Sequence, residues 1–109
     1  MTIECYCKGM SRGTTPSFSF HVSIPIIGTE TYYITFRQHN QIILEKQDFD
    51  IIRVDKDTIK VKLTQLETLL FSSKFPVEVQ IRTKYGDGAA VASNIMEFWL
   101  DDIIKEGVI

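Results

Sequence analysis

The chain has 109 residues, 44% of them hydrophobic and 24% charged, with a formal net charge of −2; that length suits one core, since single domains most often run to about 100–150 residues. Twelve Lys and Arg scattered among fourteen Asp and Glu give no general attraction to a phosphate backbone, which argues against nucleic acid as a partner. No basic, apolar leader and no run of about eighteen apolar residues occurs, so neither a signal peptide nor a membrane span is expected, and the protein should be made as a soluble cytoplasmic chain.

Residues 1–11 read as an N-terminal arm on a single domain spanning 12–109. Residues 2–8 fit a short strand, which Gly9 and the segment from Ser11 to Pro16 interrupt. Cys5 and Cys7 would point to one face of such a strand, near the long limit for a disulfide, so both are expected as reduced thiols. Strict alternation follows: Phe18, Phe20, Val22 and Ile24 interleave with Ser17, Ser19, His21 and Ser23, the signature of a strand with one buried face. After Pro25 and Gly28, the β-branched and aromatic run Thr31 to Gln38 predicts a strand that turns at His39-Asn40 into Gln41 to Lys46. Ile51 to Val54 and Thr58 to Leu63 flank the turn Asp55-Lys56-Asp57 as a second hairpin.

Thr64, Gln65, Leu66 and Glu67 have the form of a capping box, in which the Thr hydroxyl and the Glu carboxylate each satisfy a free backbone N–H. A single short helix is therefore predicted near 64–71. Beyond Ser72, Ser73 and Pro76, a long hairpin joins Val77 to Lys84 with Ala89 to Leu100 through Tyr85-Gly86-Asp87-Gly88, where glycines can take positive φ. The chain closes on a short tail with apolar residues at Ile103, Ile104, Val108 and Ile109. About seven antiparallel strands, with no helix long enough for a parallel crossover, predict an all-β protein: an immunoglobulin-like β-sandwich, with a small β-barrel as the alternative. The Cys, Trp, Cys core of antibody domains is missing.

Chemistry-bearing patterns are sparse. His21, His39, Cys5 and Cys7 would have to converge from strand, turn and arm to bind a metal, and their spacing is not that of zinc ligands. Asp48, Asp50, Asp55 and Asp57 lack the glycine and distal Glu of a calcium loop and read as solvated turns. Nucleophile-elbow, phosphate-loop and zincin motifs do not occur. No enzyme, cofactor, metal or small-molecule substrate is expected.

Two features exceed what a core needs. Tyr32 and Tyr33 are adjacent, so one points outward if the other points in, and the chain ends on apolar Val108 and Ile109. With Tyr6 of the arm, these residues are the expected partner contacts. The plainer alternative has Tyr33 packed under the arm and the tail folded onto a sheet edge.

Arg12-Gly13-Thr14-Thr15-Pro16, Tyr33-Ile34-Thr35-Phe36-Arg37-Gln38, Val61-Lys62-Leu63-Thr64-Gln65 with Glu67-Thr68-Leu69, Val79-Gln80-Ile81-Arg82, Ala92-Ser93-Asn94-Ile95 and Lys105-Glu106-Gly107-Val108-Ile109 follow one another over nearly all of 12–109. In this order and spacing the chain resembles small structural proteins encoded by phages and prophages of Firmicutes. The arm lies outside the resemblance. The resemblance implies a non-enzymatic virion or virion-assembly protein of the tail, baseplate, neck or capsid surface, made in the bacterial cytoplasm and destined for the virion. Its partners would be other virion proteins or further copies of itself, with the sheet edges and the ends, 1–11 and 103–109, reaching neighbours. The rival expectation is an immunoglobulin-like module that binds carbohydrate or a host surface through Tyr32, Tyr33, Tyr85 and Trp99. A third is an intracellular prophage regulator acting on a host enzyme.

Overall fold

The computed structural model describes residues 1–5 and 10–109. Alternation decides the architecture: wherever apolar residues recur every second position, the chain is extended and buries that face. The described strands are β1 (Ile3–Cys5), β2 (Ser17–Val22), β3 (Thr31–Gln38), β4 (Gln41–Lys46), β5 (Ile51–Arg53), β6 (Thr58–Lys62), β7 (Val77–Lys84), β8 (Ala90–Ala92) and β9 (Met96–Phe98). One helix, α1 (Gln65–Leu69), lies between β6 and β7. Two antiparallel sheets form, one in the order β1-β2-β6-β5 and the other β4-β3-β7-β8, with β9 also on β7. This is the strand order of an immunoglobulin-like sandwich with β4 added beside the central pair, and the two separate sheets dispose of the barrel alternative.

The core lies between the sheets. Phe18, Phe20, Val22, Ile59 and Val61 from the first meet Tyr32, Ile34, Phe36, Val77, Val79 and Ile81 from the second, all essentially inaccessible to solvent. Phe18 sits at the centre, its ring 5.8 Å from Phe36 and 5.2 Å from Phe98. Tilted aromatic pairs at such spacing are favourable beyond their area burial.

Local chemistry fixes the connections. His39 and Asn40 both take positive φ, 49° and 62°, which makes the β3–β4 connection a type I′ turn whose twist matches the flanking strands. The capping box forms as the sequence predicts: Glu67 N–H donates to the Thr64 hydroxyl at 3.1 Å and Thr64 N–H donates to the Glu67 carboxylate at 2.8 Å. In the β7–β8 turn, Gly88 has φ +90° and its N–H closes onto Tyr85 O at 3.0 Å.

The short strand expected within 2–8 is present at residues 3–5, where it forms an edge strand of the first sheet, with Ile3 buried in the core and opposite Val22. Two expectations need correction. The single strand expected over 89–100 is split. Arg82 opposes Ala92 and Val79 opposes Met96, three steps on one side against four on the other, so a bulge intervenes. Ser93 makes it, its hydroxyl accepting from Ile81 N–H at 2.9 Å and donating to Asn94 O at 2.8 Å. Finally, Cys5 is disulfide-bonded where a reduced thiol was expected. Tyr6 and Cys7 lie outside the described residues.

Candidate interaction surface

The adjacent tyrosines part as alternation requires. Tyr32 is completely buried, which removes it from the expected contact surface and from any aromatic platform for sugar. Its hydroxyl donates to Glu30 at 3.0 Å, and Arg53 lies over its ring at 5.3 Å. Arg53 also donates to Glu30 O at 2.6 Å and to the Asp48 carboxylate at 2.9 Å, while Tyr32 N–H donates to Asp48 at 3.1 Å. Tyr32 belongs to the second sheet and Arg53 to the first, so this network latches the sandwich at one end. Burial pushes the Glu30 carboxyl up, but hydrogen bonds from backbone N–H groups, its own and those of Gly28 and Ile27, and from Tyr32 outweigh it and hold Glu30 below its ordinary value.

Tyr33 points the other way, onto the outer face of the second sheet. Strand register arranges that face in rows: Arg37 opposite Glu78, Thr35 opposite Gln80, Tyr33 opposite Arg82 and Thr31 opposite Lys84. Two shallow depressions meet at Thr35. One, of about 220 Å³, is lined by Arg37, Glu78 and Gln80 with the apolar Ile42 and Ile95; the other, of about 320 Å³, by Tyr33, Arg82, Lys84, Glu45 and Ala90. Ile42 and Ile95 are 67% and 49% exposed, a degree that marks them as surface, not core.

Charge is unevenly spread over this face. Arg37 and Glu78 form a two-pronged ion pair, both hydrogen bonds at 3.0 Å, and each stabilises the other's charge: the Glu78 carboxyl is held below its ordinary range and the Arg37 guanidinium above. Glu97 stands opposite Glu78 on β9. Arg82 and Lys84 make no ion pair among the described residues. Along β7 the outer face thus runs from acid at Glu78, through Gln80, to base at Arg82 and Lys84. The face escaped sequence reasoning because its residues are the polar half of each alternation, but its charge order is written along 78–84.

The tail forms a second surface. Arg12 holds its start, donating to Asp102 and Glu106 at 2.7 Å each and to Phe71 O at 2.6 Å. Ile109 N–H donates to the Gln65 side chain at 2.9 Å. The last residues therefore lie against α1 and not on a sheet edge, and the reach expected of 103–109 toward a neighbour is curtailed by these bonds. Val108 and Ile109 nevertheless remain 58% and 87% exposed, and Val108 shares a groove with Leu66, Lys46 and Lys62. Val108 and Ile109 are not joined to Tyr33 in one site.

Among the described residues no group of three His, Cys, Asp or Glu could hold a metal ion, and no helix is long and apolar enough to cross a membrane. Neither protein-family models nor curated proteins yield a match to the chain.

Proposed function

We propose that the chain is a non-enzymatic phage or prophage virion or virion-assembly protein that works through protein–protein contacts. The reading starts from the resemblance carried by residues 12–109. The observation that carries it further is the outer face of the second sheet, where Tyr33, exposed Ile42 and Ile95 and charged groups of both signs surround two shallow depressions. Apolar groups rimmed by paired and unpaired charges are the ordinary composition of a protein contact. The strand β4, at the open edge of that sheet, extends the surface with unpaired backbone groups.

The test is mass spectrometry of purified virions, and of assembly intermediates, induced from a strain that encodes the chain. Recovery in a fixed copy number relative to capsid or tail proteins is the expected result. Its absence from both fractions while it accumulates in the cell would sink the proposal.

A further inference from the structure

Resting on that contact role, we infer that the outer face of the second sheet binds the same face of a second copy of this chain, across a two-fold axis that lies in the interface and passes through the Thr35–Gln80 row.

The charge order supports this occupant over others. A two-fold axis perpendicular to β7 lays β7 of one copy antiparallel over β7 of the other, so rows equidistant from the axis meet. Thr35 and Gln80 are register partners, with Arg37 and Glu78 two residues to one side and Tyr33 and Arg82 two residues to the other. Rotation therefore sets Glu78 against Arg82 of the second copy, and Arg37 against Tyr33 of the second copy, a cation over an aromatic ring. Each of these contacts occurs twice. Arg82, without an ion pair within its own chain among the described residues, gains a carboxylate, and the second acid at Glu97 strengthens the field it enters. The depression flanked by Ile42 receives the ring of Tyr33 from the opposite copy.

A face acidic at one end and basic at the other repels a parallel copy and attracts an antiparallel one, which is the self-complementarity an isologous contact needs. Glu45, in the axial row but on the edge strand β4, meets its own copy only at the rim, where sheets crossing at about 30° splay apart and like charges stay hydrated. Two central strands of eight residues, flanked by the six-residue β4 and the three-residue β8 and β9, give at about 3.4 Å per residue and about 4.8 Å between strands a footprint below the standard size, in the range of weak contacts. The dimer should be reversible.

The test is sedimentation velocity of the full chain from about 1 µM to about 1 mM, the range in which an interface of this size associates. The expected mass rises from 12.5 kDa toward twice that value, and added salt lowers the dimer fraction. Arg82→Glu and Glu78→Arg each stay monomeric, whereas an equimolar mixture of the two forms a heterodimer, because every facing pair is again of opposite sign. Thr35→Glu, which adds like charges to the axial row that already holds Glu45 without touching the Arg37–Glu78 pair, also stays monomeric while its circular dichroism matches the parent. A parent that remains monomeric over the whole range overturns the inference, as does association that Arg82→Glu and Thr35→Glu leave intact. A monomer found in virions sinks this inference alone, and a dimer absent from virions and assembly intermediates sinks the proposed function alone.

Discussion

Glu30 shows how a single side chain sets the pH dependence of this fold. Its carboxylate is buried, yet it stays charged because N–H groups and the Tyr32 hydroxyl converge on it. Its proton affinity in the folded state is below the ordinary value of 4.5, so the unfolded chain binds a proton more readily. The stability it contributes is complete above about pH 4.5 and is lost as pH falls through the lower, folded value. Glu67 behaves alike: burial pushes it up, but Lys46 at 2.7 Å and Thr64 N–H hold it below the ordinary range. Thermal melts should therefore show the transition temperature dropping as pH is taken below about 4.5. Glu30→Gln should cost about 1.5–3 kcal/mol at neutral pH, since it replaces a charged acceptor with a neutral one and turns an amide toward N–H donors. It should also flatten the acid limb of the melt profile; an unchanged limb would show that Glu30 is not the titrating group.

Elements here rest on short-range signals of unequal legibility. The β3–β4 hairpin and α1 could be read from sequence because His39-Asn40 and the Thr64–Glu67 box are local, with their partners within three residues. Thr64→Ala should lower stability by about 1 kcal/mol in urea titration, the usual worth of an N-cap. Asn40→Ile should cost about 1–2 kcal/mol, because a β-branched residue is poorly accommodated at φ 62°, whereas Asn40→Gly should leave the midpoint unchanged or slightly raised. What the sequence concealed depends on distant partners. The bulge at Ser93 arises only because Ile81 N–H finds the Ser93 hydroxyl instead of a backbone carbonyl, and nothing in 89–100 advertises a partner twelve residues away. The strand β1 falls within the extended segment read over 2–8, but the partners that make it an edge of the first sheet, Val22 and Asn94, whose side chain accepts from Ile3 N–H at 2.8 Å, lie far along the chain and are not announced there. The candidate surface was half legible: adjacency of Tyr32 and Tyr33 requires that one face out, but only the sheet's neighbours decide which. Register with Thr83 and Arg82 then settles it, placing Tyr32 inward and Tyr33 in the charged row.

At the scale of the whole molecule, the two sheets are joined by their buried faces and by polar latches at several places. Besides the Glu30–Arg53 network, Gln38 from β3 donates to Ser72 O at 2.7 Å and Phe75 O at 3.0 Å, tying the second sheet to the chain after α1. Arg12 ties the entry of the first sheet to the tail. These latches position, but the aromatic centre carries most of the cohesion, because it is the part fully removed from water. Phe18 belongs to the first sheet and reaches Phe36 and Phe98 of the second, so its removal opens a cavity on the seam itself. Neither sheet can close over the gap without shifting the other, and relaxation should recover little. Phe18→Ala is accordingly expected to cost about 3–5 kcal/mol, out of a total that for a domain of this size is about 5–15 kcal/mol. The urea midpoint should fall steeply with an unchanged slope, or the variant should fail to fold. Phe49→Ala is the matched control: that ring is 85% exposed, and its loss should shift the midpoint by less than about 0.5 kcal/mol. Equal losses at the two positions would mean that cohesion does not reside in the seam between the sheets.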